Sequence, residues 1–225
     1  MHKNEIIRKI EIPIKEKMEN ETTGHDWHHV DRVRKMALFI GEKEGVDIFI
    51  VELAALLHDI GDWKFSKDRN PESPDIAKEF LTKIGVDNET ISHVVQIISD
   101  MDFKGANVPI SLKSKEAMVV FDADKLDALG AIGIARCFAT SQKLGCMIYN
   151  PEIKPKLHDS FEEYKLAKGT AINHFYEKLL LLKDIFHTKS AKEIAVHRHE
   201  VMEMFLNEFK KEWEGKDYAQ SNNST

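Results

Sequence analysis

The chain has 225 residues, 42% hydrophobic and 31% charged, with a formal charge of −6 and a pI near 6.0. That mix belongs to a soluble globular protein, and the acidic balance argues against a broad basic surface for duplex nucleic acid. No apolar run approaches the ~18 residues needed to span a bilayer. The N-terminus has no signal-like apolar stretch, and Cys137 and Cys146 lack CxxC spacing, so the expectation is a cytoplasmic protein with two buried reduced thiols and no membrane partner.

Apolar periodicity is helical nearly throughout, and no segment alternates as a strand does. Helices are expected over 3–19, 26–44, 47–60, 74–84, 88–99, 112–129, 130–144, 159–185 and 189–213. The breaks coincide with Gly45, Gly61, Pro71, Pro74, Gly85, Gly105, Pro109, Pro151 and Pro155. The fold class is therefore all-α, a single compact domain over 1–213 with its core at about 20–145, C-terminal helices at about 159–213, and a frayed tail at 214–225. The longest polar connections, 62–73 and 100–111, mix charges with aromatic residues, a composition that suits binding loops.

The helix over 26–44 follows "GHDWHHVDR". Thr23 and Asp26 have capping-box spacing, which places the helix start near Gly24. At about 100° per residue, Met36, Ile40 and Val33 fall within roughly 40° of His29, so His29 points into the apolar stripe. His28 lies on its flank, an exposed neighbour, and His25 faces inward only if the helix extends back that far.

"VELAALLHDIGD" is apolar on almost every side before it reaches His58 and Asp59, with Gly61 placed to end the helix. An ionised carboxylate at the end of a buried helix costs several kcal/mol, and the helix dipole adds to that cost. Either a divalent cation or a paired Arg or Lys must compensate it. In "FDADKLDALGAIGIAR", Asp122, Asp124 and Asp127 interrupt another apolar helix, where Lys125, Arg136 or a metal could balance them. Two histidines and two aspartates on three helices suit a borderline or harder divalent ion.

Farther on, Phe175, Leu179, Leu182 and Phe186 have helical spacing, as core or subunit-contact residues do. His174, Lys178, His197, Arg198 and His199 read mostly as a solvated face.

The ordered set of His29 before "VDRV", "LLHDIGD" and "DADKLDALGAIGIAR" resembles the HD-domain superfamily of metal-dependent phosphohydrolases. Together with "INHFYEKLLLLKDIF" and "VHRHEVMEMFLNEF", it resembles the stand-alone bacterial subgroup that includes nucleotide pyrophosphohydrolases, over about residues 20–213. The resemblance implies a helical HD-type bundle and one divalent ion (Mn, Mg, Ni, Co, Fe or Zn). Its implied ligands are His29, His58, Asp59 and Asp124, with Asp122 the second choice for the last. It further implies a small phosphorylated substrate, a nucleotide, cut to monophosphate and pyrophosphate.

Some members carry a Glu-Asp pair shortly after the His-Asp pair; here only Asp62 has near that spacing, so Asp62, with Asp59, is the candidate for handling the water. Lys64, Lys125, Arg136 and His25 are the candidates for contacting substrate. Two other readings stand beside this one. One is a dinuclear phosphodiesterase or phosphomonoesterase using His93 with Asp100 or Asp102; the other is a non-catalytic metal- and nucleotide-binding regulatory module. A homodimer is expected.

Overall fold

The structure, a computed structural model, describes residues 2–19, 24–61, 73–101, 111–157 and 169–217. Among these residues it contains nine α-helices and no strand. They are α1 (Lys3–Met18), α2 (Trp27–Glu44), α3 (Ile48–Leu57), α4 (Ser73–Lys83), α5 (Asn88–Met101), α6 (Lys115–Asp127), α7 (Gly130–Lys143), α8 (Ala171–Glu177) and α9 (Lys189–Trp213). A 3₁₀ helix, Leu179–Asp184, lies between the last two.

Short polar side chains start most of these helices by accepting backbone N–H groups that the first turn leaves without partners. Asp47 caps α3 through Phe49 and Ile50, Ser114 caps α6 through Ala117, Thr170 caps α8 through Asn173, and Thr188 caps α9 through Ala191. The frame centres on α2, which packs along α3 on one side and α6 on the other. Helix α3 is the most deeply placed: Val51, Leu53, Ala54, Ala55 and Leu57 are fully buried. Its one interior carboxylate, Glu52, takes Arg34 from α2.

Three expected boundaries move. Helix α2 starts at Trp27 rather than near Gly24, because Asp26 is its N-cap and accepts the His29 N–H at 2.8 Å; Thr23 lies outside the described residues. Helix α3 stops at Leu57, and His58 to Gly61 form turns. Gly61 does not act there as a left-handed cap: a Cβ on it would lie 2.8 Å from the backbone N of Ser73, so glycine is needed for close approach of α4. The single helix expected over 159–185 is, in its described part, the short α8 followed by the 3₁₀ helix. The break falls at Lys178, with φ −144° and ψ −58°. The tighter 3₁₀ winding aligns positions i and i+3, so Leu179 and Leu182 share one buried face.

Phe175, Leu179, Leu182 and Phe186 are core residues. His197 and Lys178 are exposed, as a solvated face requires, but His199 is buried and Arg198 half-buried. Cys137 is buried and Cys146 only half-buried, and both are free thiols. Burial pushes the Cys137 thiol up to about 12. Among the described residues no helix is long and apolar enough to cross a membrane.

Candidate metal centre

His29 sits in the first turn of α2 with no solvent exposure. Its Nδ1 lies 2.7 Å from Oδ2 of Asp127, which also accepts Arg32 Nε on Oδ1 at 2.8 Å and Arg136 Nη1 on Oδ2 at 3.0 Å. A carboxylate with two guanidiniums on it is ionised and can only accept, so His29 Nδ1 carries a proton and Nε2 is the nitrogen left to face the centre. His58, at the end of α3, shows the same logic. Its Nδ1 is 2.8 Å from the Ala55 carbonyl, which can only accept, so Nδ1 carries a proton and Nε2 is again the nitrogen left to face the centre.

Both Nε2 atoms are buried without any hydrogen-bond partner. They converge on two carboxylates. His29 Nε2 is 3.3 Å from Asp59 Oδ2 and 3.7 Å from Asp124 Oδ1; His58 Nε2 is 3.5 Å and 3.9 Å from the same oxygens. Ligands bound at about 2.1 Å lie about 3.0 Å apart as octahedral neighbours and about 3.4 Å apart on a tetrahedron. The spacing is therefore that of donor atoms around one common centre. Two orphaned imidazole nitrogens beside two carboxylate oxygens fit a divalent ion in donor type as well as in distance.

Burial opposes the charged form of Asp59, but the facing imidazoles of His58, His25 and His29 hold its pKa well below the usual range. Asp124 is likewise held low: burial opposes it, and Lys125, His58 and His29 overcome that opposition. For His29, burial works against protonation, yet the hydrogen bond to Asp127 and the Asp59 carboxylate beside Nε2 raise its pKa.

Of the other expected site residues, His25 precedes α2, with Nδ1 3.3 Å from Asp59 Oδ2. Gly24, at φ +83°, turns the chain to bring it there; the Arg136 side chain packs on that glycine, and Arg136 Nε donates to its carbonyl at 2.8 Å. Arg136 Nη2 also lies 3.4 Å from His25 Nε2. Lys125 donates to Asp124 Oδ2 at 2.7 Å and remains partly exposed. His28 is exposed. Asp62, Lys64 and Asp102 lie outside the described residues.

The three aspartates of α6 separate cleanly. Asp122, the second choice for the fourth ligand, is fully buried elsewhere: it accepts the backbone N–H groups of His187 and Thr188 and the Thr188 hydroxyl. Asp124 faces the centre. Asp127 orients His29, a role sequence reasoning missed; the signal was Arg32, one turn beyond His29 on the same face of α2. His93 and Asp100 do not meet, because His93 Nε2 lies 3.2 Å from Ser114 Oγ while Asp100 takes Gln96 and the Lys113 N–H. Among the described residues, the groups close enough to hold an ion are His25, His29 and Asp59, and His29, His58 and Asp124.

Residues 26–129 match the HD domain family model, the segment that carries all four converging side chains. The chain is 39% identical to the Bacillus subtilis protein YpgQ over 202 residues, covering 88% of this chain and 89% of YpgQ. The crystal structure of YpgQ in complex with ADP superposes with a TM-score of 0.74 at 34% identity, covering 94% of this chain and all of that one. A Lactobacillus plantarum protein superposes with a TM-score of 0.82 at 36% identity, covering 96% and 100% of the two chains. An HD-superfamily hydrolase from Bacillus thuringiensis superposes at 0.73 with 40% identity, covering 95% and 99%.

Proposed function

The chain belongs to the HD-domain family, and on that premise we propose that it is a divalent-metal-dependent phosphohydrolase that cuts nucleoside triphosphates to a monophosphate and pyrophosphate. The observation that carries this reading is the pair of buried, unpartnered Nε2 atoms of His29 and His58, aimed at Asp59 and Asp124. These four side chains are the proposed ligands of one ion. When bound, a divalent ion supplies an acidified water and a Lewis acid for a phosphoryl oxygen.

The rest of the chemistry falls to the protein's own side chains. Lys125, partly exposed beside Asp124, is placed to neutralise substrate phosphate. Arg136 has its donors on Gly24, Asp127 and His25, so it acts on substrate through His25, whose turn it holds. Hydrolysis opens the anhydride bond between the α- and β-phosphates. The water oxygen adds to phosphorus, the bridging oxygen leaves with pyrophosphate, and Asp62 orients the water or takes its proton, with Lys64 as a further phosphate contact.

The ADP complex of YpgQ supports a nucleotide as the substrate class. The separation of His93 from Asp100 favours one ion over two. The test is a phosphohydrolase panel of nucleotides with Mn, Mg, Ni and Co, with product identification and metal analysis, run beside Asp59→Ala. The expected result is metal-dependent pyrophosphate release and one ion per chain, both lost in the variant. Tight nucleotide binding without turnover would identify a regulatory module instead, and two ions per chain a dinuclear enzyme.

A further inference from the structure

A cavity of about 260 Å³ opens between α2, α6, α7 and α9, on the far side of Asp127 from the metal centre. None of His29, His58, Asp59 and Asp124 lines it; Asp127 and Ala123 form its floor, and Arg32, Lys35 and Arg198 supply its charge. Its mouth is apolar, with Phe39 47% and Ile132 42% exposed.

The charge in this cavity is not balanced. Asp127 already serves Arg32, Arg136 and His29. Lys35 is paired with Asp31. Arg198 has no carboxylate partner among the described residues: its Nη1 donates to the Leu126 carbonyl, and its stem lies against Gly130, where a Cβ would come within 3.1 Å. Gly130, at φ +70°, thus lets the Arg198 stem lie flat on the backbone. Burial lowers the Arg198 pKa, with Asp127 acting on it only through space. A guanidinium held by backbone and left without an anion, in a cleft with a second arginine, is a site for an outside anion.

We propose that this cavity is a second ligand site, for a small organic anion that places its phosphate or carboxylate between Arg198 and Arg32 and its flat apolar end against Phe39 and Ile132. Its volume lies just under the ~300 Å³ at which small-molecule sites begin, which is too small for a whole nucleoside triphosphate. The site stands independently of the hydrolytic reading. It borders the metal centre through one shared wall, since Arg32 and His29 bind the same Asp127 carboxylate.

The test is calorimetric titration of the metal-loaded protein with phenyl phosphate and with benzoate, to separate phosphate from carboxylate, and with benzyl alcohol as the uncharged control. Saturable binding of at least one anion and none of the alcohol is expected. Arg198→Gln should weaken it at least about tenfold. Ile132→Asp sets a repelling charge at the mouth, and an acidic residue in the first turn of α7 suits that helix, so this variant should lose binding with its circular dichroism and metal content intact. Asp59→Ala should keep the binding. Absence of saturable binding, unchanged binding in Ile132→Asp, or loss of binding in Asp59→Ala with retention in Arg198→Gln would overturn the proposal, the last by placing the anion at the metal centre.

Discussion

Asp127 holds His29 from behind: Oδ2 lies 2.7 Å from Nδ1, while the opposite nitrogen of the ring faces Asp59 and Asp124. One hydrogen bond thus fixes the proton on Nδ1, the ring plane and the direction in which Nε2 points. The contact joins residues 98 positions apart in sequence and is buried. Its carboxylate is shared with Arg32 and Arg136, so three helices depend on one side chain.

Asp127→Asn should therefore weaken divalent-metal binding by about 10–100-fold, the usual cost of losing the partner of a ligating histidine. The amide keeps the size of the side chain but removes the charge that holds two guanidiniums, so unfolding free energy should also drop, by about 3–5 kcal/mol. Manganese titration by calorimetry and urea denaturation of the metal-free protein check the two effects separately.

Asp59 touches His25, His29 and His58 at once, at 3.3, 3.3 and 3.5 Å. Asp59→Ala should take bound metal from about one ion per chain to none detectable, and hydrolysis should vanish with it. Elemental analysis beside the nucleotide assay reads both. Full turnover in a variant stripped of metal would refute the ligand assignment.

Much of this site was legible in sequence because helical phase is local. His29 shares its angular position with Met36, Ile40 and Val33, and all but half-buried Met36 prove fully or nearly fully buried. The run before His58, apolar but for Glu52, marked α3 as buried on nearly all sides. The three aspartates of α6 were harder, since each interrupts the same apolar stretch. At about 100° per residue Asp124 and Asp127 lie roughly 60° apart while Asp122 points away from both, yet phase alone does not say which neighbour each face meets. Asp127's role depended on a partner 98 residues away, and Arg136's on the Gly24 carbonyl; tertiary docking decides both. The break at Lys178 was missed because α-helical and 3₁₀ windings both bury Leu179 and Leu182.

His174, in α8, carries a consequence for acid stability. Burial, reinforced by Lys178, pushes its pKa down to about 3 from 6.5. Between those values the unfolded chain takes up a proton that the folded chain refuses, so stability present above pH 6.5 is lost as pH falls toward 3. One proton limits the slope to about 1.4 kcal/mol per pH unit. His174→Gln, which cannot titrate, should show a shallower decline between pH 6 and pH 4 in urea denaturation.

Asp122 supplies the sharpest contrast with Asp124, two residues away on the same helix. It is fully buried, and its oxygens accept the His187 N–H at 3.0 Å and the Thr188 N–H and hydroxyl at 2.7 Å each. It therefore fastens α6 to the segment that starts α9. Removing an acceptor while its donors stay buried costs more than the hydrogen bonds themselves are worth, because the donors lose water as well. Asp122→Ala should destabilise the fold by about 2–4 kcal/mol, yet leave metal stoichiometry at low temperature unchanged. Asp124→Ala should do the reverse, abolishing metal binding with a smaller loss of stability. Urea denaturation and elemental analysis on the same two variants check this; loss of metal in Asp122→Ala alone would move the fourth ligand to Asp122.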